Sequence, residues 1–249
     1  MYKRQHPSGL GDWDSYAAIH EFPIEEYEKA KSEILVEGYC DTAIVTLSRT
    51  AAEGSALSMD LDGDGSTVNG TTYLELDDNE RNLMKFCKEN FKHTIVLLNT
   101  SSAMEIGFLD SEEYNVEACL WIGHPGDAGL VGVGKLITGA VNPSGRLVDT
   151  WAYDVSTNPT FYNMDNNRYA NGQDADNNTF YQYEEGIYVG YRFFETADAE
   201  GYFDSPAFTG HAFKNGTAAG YEQVVQFPFG FGLSYTTFEQ LSLIHISEP

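Results

Sequence analysis

The sequence predicts an α/β fold, a mainly parallel sheet sandwiched between helices, followed by a long irregular Asn/Asp-rich loop and an aromatic C-terminal segment. Three observations predict it. Short β-branched runs alternate with stretches of helical period, a rhythm that builds right-handed crossovers and a parallel sheet covered on both faces. At 249 residues the chain can close a sizeable core, as one α/β domain or two small ones. Hydrophobic residues make up 42% and aromatics 14%, too many for a disordered acidic chain.

The elements follow in order. Pro23 to Gly38 reads as a helix, with Pro23 early, an apolar stripe of Ile24, Tyr27, Ile34 and Leu35, and Gly38 as its stop. Thr42–Ser48 is a β-branched run between polar residues and reads as a buried strand. A Gly/Ser/Asp-rich loop spans about 50–70. Asp77 with Glu80 resembles a capping box, ahead of a helical stripe of Leu83, Phe86 and Cys87. Thr94–Leu98 and Ala118–Ile122 read as two more buried strands, and a helix of small residues runs from about Asp127 to Thr138, ending at Gly139. Residues 163–178 are the polar, Asn/Asp-dense loop. The closing stretch, 191–194 and 227–235, is aromatic and punctuated by glycine. Cys40, Cys87 and Cys119 show no metal or disulfide spacing and read as three buried small hydrophobes.

Charge excludes whole classes of partner. The chain has 14 Lys+Arg against 38 Asp+Glu, a net charge of −24 and a pI near 4.3. Nucleic acid needs a cationic surface to release counterions, and anionic membranes repel such a chain. No apolar run reaches the roughly 20 residues of a membrane span. No cofactor is expected either. Gly129-Leu-Val-Gly-Val-Gly-Lys135 approaches a phosphate loop, but Leu136 stands where magnesium needs a hydroxyl, so the glycines read as packing positions. Asp60, Asp62 and Asp64, with Gly65, match the opening of a calcium loop whose twelfth position is Thr71 instead of Glu. They read as an Asp/Gly turn or as weak metal ligands, the latter making the chain a calcium-dependent carbohydrate or protein interaction module. Glu53 lies five residues past the end of the Thr42–Ser48 run, at the strand edge where parallel α/β sheets bind ligands.

Five segments carry a resemblance. Leu47-Ser-Arg-Thr-Ala-Ala-Glu-Gly54 resembles the loop of glycoside hydrolase family 3 enzymes that bears the catalytic acid/base Glu. Trp121-Ile-Gly-His-Pro-Gly-Asp-Ala-Gly129, Asn142-Pro-Ser-Gly-Arg-Leu147, Glu184-Glu-Gly-Ile-Tyr-Val-Gly-Tyr-Arg-Phe-Phe194 and Phe227-Pro-Phe-Gly-Phe-Gly-Leu-Ser-Tyr-Thr-Thr-Phe238 resemble further family segments, in the family's order. The resemblance implies a C-terminal α/β sandwich domain of a retaining, exo-acting, β-glucosidase-like hydrolase, with Glu53 as general acid/base and a β-glycoside or oligosaccharide as substrate. It also implies a preceding barrel in the same chain, bearing an Asp nucleophile and most sugar contacts, without which the domain is inactive. The family often has Gly-Glu-Gly-x-Asp around the acid, where this chain has Ala52 and Ala56 at the outer positions.

The expected domain is 6–238, truncated at its N-terminus. Residues 1–5 and 241–249 read as adapter-derived scars, because Tyr-Lys-Arg-Gln and Leu-Ser-Leu-Ile-His-Ile translate opposite strands of one sequencing-transposon adapter. On that reading the chain is a gene fragment, and its compartment stays open.

Overall fold

A computed structural model describes residues 21–49, 73–163, 183–205, 208 and 220–237. The chain divides into two units, Met1–His124 and Pro125–Pro249. The expected scars at both ends and the Asn/Asp-rich loop beyond residue 163 lie outside the described residues.

In the first unit, α1 (Ile24–Ile34) follows Pro23, with Glu25 and Glu26 in its first turn and Lys31 in its last, charges that suit the helix dipole. The helix ends four residues before Gly38. Leu35 leaves helical geometry, the β-branched Val36 is 53% exposed with little to hold it helical, and Gly38 serves the following turn at φ +75°. Strands β1 (Thr42–Ser48), β2 (His93–Asn99) and β3 (Ala118–Trp121) form a parallel sheet in the order β1-β2-β3, with Thr42 opposite His93 and Leu98 opposite Trp121. Burial along β1 alternates at first: Val45 and Leu47 point into the core while Ile44 is half-exposed. The strand therefore departs from the uniformly buried run expected, and becomes fully buried only at Leu47 and Ser48.

Helix α2 (Asp78–Asn90) begins at the predicted capping box. Asp77 accepts the Glu80 N–H at 2.7 Å, and Glu80 Oε2 accepts the Asp77 N–H at 3.0 Å. Its stripe of Leu83, Met84, Phe86 and Cys87 is buried, and Tyr27 of α1 meets Phe86 at a 6.0 Å ring separation.

The cysteines differ from one another. Cys87 is buried and Cys119 half-buried, but Cys40 is exposed, because it sits in the turn before β1 and not in an element. Burial pushes the Cys87 thiol up to about 12, the charge of Glu21 adding to the effect, and burial pushes Cys119 up to about 12 as well. Ellman's reagent near pH 8 should label one thiol, Cys40, rapidly and the other two only on unfolding; three fast thiols would contradict this packing. Below the ordinary thiol pKa both states keep these protons. Above it the unfolded chain loses them while the native chain keeps them, so urea midpoints should fall as pH rises from about 9 toward 12.

In the second unit, α3 (Gly126–Ile137) ends at Thr138, with Gly139 turning the chain at φ +71°. A short antiparallel pair, β4 (Trp151–Ala152) and β5 (Val225–Phe227), joins distant parts of the chain. Helices α4 (Thr160–Asn163), α5 (Tyr191–Ala199) and α6 (Tyr221–Val224) complete the described α-helices. The core here is aromatic: Phe194, Phe203 and Phe208 cluster with Ala152, Ala197, Val224 and Val225. Two of the sequence segments that carry the family resemblance meet in this unit. Leu147 N–H donates to Phe231 O and Gly230 N–H to Leu147 O, both at 2.8 Å. Gly232 is required by that approach, because a Cβ there would lie 2.5 Å from the Gly145 carbonyl oxygen and 2.9 Å from the Arg146 side chain.

Candidate active site

The C-terminal ends of β1, β2 and β3 share one edge of the parallel sheet, the edge where such sheets bind ligands. Arg49 follows β1 directly, and its backbone N–H continues the ladder to Asn99 O at 3.2 Å. Its side chain is 1% exposed, and all five guanidinium N–H donors have acceptors. Two reach Glu80, Nη1 to Oε1 at 2.7 Å and Nη2 to Oε2 at 2.8 Å. The other three go to backbone carbonyls: Ser48 O on one side, Tyr73 O and Glu75 O on the other. The Tyr73 ring lies 5.1 Å from the guanidinium carbon. A buried charge is tolerable only when paired and fully hydrogen-bonded, and this one is both.

Beside it, Thr100 is fully buried just past β2. Its carbonyl accepts the Trp121 Nε1–H at 2.7 Å, and its hydroxyl exchanges bonds with the Ser102 backbone. Trp121, which opens the second family-like segment, is thereby fixed at the sheet edge. Asn99 Oδ1 is buried at the same edge with no hydrogen-bond partner among the described residues.

Glu53, the predicted acid/base, and Asp60, Asp62 and Asp64, the candidate metal ligands, lie outside the described residues. Among the described residues no group of three or more His, Cys, Asp or Glu is placed to hold a metal ion, and no helix is long and apolar enough to cross a membrane. Gly129–Lys135 lies inside α3 and not in a loop before it, so its glycines form no phosphate cradle. A Cβ on Gly129 would meet Pro125 Cβ at 2.8 Å, which explains that glycine as a packing position; one on Gly132 or Gly134 would meet nothing within 4 Å.

Aromatic platforms are expected wherever sugars bind, but Phe194 and Phe203 are core residues, 2% and 1% exposed. The exposed rings include Tyr191 and Phe229, stacked at 4.6 Å with 27° between planes. Glu184 and Glu185 line a shallow cleft of about 500 Å³ within the second unit, with Tyr188, Phe193, Glu200 and Tyr202.

Sequence reasoning missed the Arg49–Glu80 pair. Glu80 was legible only as half of a capping box, and Arg49 only as one letter of a segment. A signal existed: a cation placed directly after a buried strand, in a chain with 14 basic residues, needs a buried anion nearby.

Comparison with known proteins gives a consistent result. The family described as "Glycosyl hydrolase family 3 C-terminal domain" matches residues 22–191. The chain is 33% identical over 199 residues to a Beta-glucosidase of Ruminococcus albus, covering 80% of this chain and 16% of that protein. It is 29% identical over 212 residues to Beta-glucosidase A of Butyrivibrio fibrisolvens, covering 80% of this chain and 22% of that protein. Among solved structures, a beta-glucosidase from Paenibacillus barengoltzii matches with a TM-score of 0.60 and 26% identity, over 89% of this chain and 19% of that one. The chain thus spans less than a quarter of these relatives.

Proposed function

The chain belongs to the glycosyl hydrolase family 3 C-terminal domain family, and from that membership we propose that it is the domain of a retaining, exo-acting, β-glucosidase-like hydrolase that supplies the general acid/base, Glu53. The observation that carries this reading is the register of the first unit: β1 delivers the chain to the ligand-binding edge of a parallel sheet at Ser48, five residues before Glu53. The β-glucosidase relatives support the substrate class, terminal β-linked sugars.

Retaining hydrolysis needs two carboxyl groups about 5–5.5 Å apart, astride the glycosidic bond. In this reading Glu53 protonates the leaving oxygen, then takes a proton from the water that attacks the glycosyl-enzyme. The nucleophile comes from an Asp on a barrel in the same longer chain, as the resemblance implies. Covering by that barrel would desolvate Glu53 and raise its pKa into the range an acid catalyst needs. The domain is taken to run from 6 to 238.

In the longer enzyme, Glu53→Ala should lower turnover of glycosides with poor leaving groups by about 10²–10⁴-fold. Nitrophenyl glycosides need little protonation and should lose less in the first step. Azide should restore rate, because a small anion attacks the glycosyl-enzyme without a base. Equal losses on both substrates, with no azide rescue, would assign the acid/base to another residue.

A further inference from the structure

Arg49 touches the chain on both sides of residues 50–72. Before that stretch it holds Ser48 O; after it, 24 and 26 residues further on, it holds Tyr73 O and Glu75 O. The same guanidinium is locked to Glu80, whose carboxylate also caps α2 through the Asp77 N–H. One buried side chain therefore ties the exit from β1, the return of the chain and the start of a helix to a single point. Lysine could not do this, because its ammonium has three donors and no planar fork. Glu53 is four residues from Arg49, and four residues of chain span at most about 14 Å.

We propose that Arg49 is a positioning residue for Glu53, acting as a clasp that fixes both ends of the segment bearing the acid/base. This rests on the reading of Glu53 given above. A clasp of this kind fixes where the chain leaves β1 and where it returns, and so limits where the Glu53 carboxyl can stand relative to the sheet edge. Its expected signature is chemical. A misplaced acid slows protonation of the leaving group, and a displacement of about 1 Å can cost on the order of 10²-fold. Sugar binding, built elsewhere, is left intact.

The test uses the multidomain enzyme, with Arg49→Lys and the neutral pair R49M/E80Q, in which Gln keeps the helix cap and no charge is buried alone. Thermal melts and circular dichroism select a temperature at which the variants are folded. The expected result, in at least one folded variant, is a kcat loss of about 10–100-fold on alkyl or other poor leaving groups. Dinitrophenyl glycosides should fall several-fold less, with KM unchanged. Equal loss on all leaving groups, or none, in folded variants overturns the clasp. Glu53→Ala is measured in parallel. If that variant shows no dependence on leaving group, the reading of Glu53 falls and the clasp falls with it; if it does and the Arg49 variants do not, only the clasp falls.

Discussion

The 249-residue chain alone should hydrolyse 4-nitrophenyl β-glucoside at no useful rate. General acid/base catalysis is worth about 10²–10⁴-fold, and enzymes reach about 10⁶-fold or more over the uncatalysed reaction. If the domain supplies only the general acid/base, as proposed, it falls short of enzymatic rates by at least about 10²-fold, even with that carboxyl ideally tuned. On the proposed reading the remaining factors would be a nucleophile, a water-free subsite and preorganised contacts to the sugar. The resemblance assigns these to another domain, and the chain spans 16% of one β-glucosidase relative and 22% of another. Continuous release of nitrophenol by the purified chain, compared with the longer enzyme, is the measurement. Robust turnover by the chain would mean that a complete site lies within these residues.

Arg49→Met should destabilise the first unit by about 3–5 kcal/mol, because it strands Glu80 as an unpaired buried carboxylate. Three backbone carbonyls lose their donors in the same step. Adding Glu80→Gln should recover much of that loss, since it removes the buried charge and retains an acceptor for the Asp77 N–H. Urea unfolding followed by far-ultraviolet circular dichroism gives both numbers. A cost below about 1 kcal/mol for Arg49→Met would place the pair in the class of surface ion pairs, contrary to its burial.

The elements that the sequence made legible are those whose causes are local. β1 has the predicted bounds because seven β-branched, small or apolar residues stand between Asp41 and Arg49. α2 begins where predicted because its capping box is a pairing of residues three apart. β4 and β5 escaped notice because two- and three-residue strands carry no readable period, and their pairing joins Trp151 to Phe227 across a large part of the chain. α5 was hidden by its composition: Tyr-Arg-Phe-Phe carries weak helix formers, and Gly190 before it reads as a turn, while burial of Phe194 and Ala197 holds it helical. The Arg49–Glu80 pair is tertiary, so no window of sequence contains it. The candidate acid came from segment resemblance, since an isolated Glu after a strand has no periodicity to single it out.

The β4–β5 pairing has a consequence for a chain made from its N-terminus on a ribosome. By the time Trp121 has left the exit tunnel, all three described strands of the parallel sheet have been synthesised. Trp151, 1% exposed once folded, emerges next and waits for Phe227. About 75 residues separate them, or about 4–15 s at ~5–20 residues per second. Through that interval a nascent polypeptide displays an indole and its apolar neighbours to whatever chaperones meet it at the ribosome.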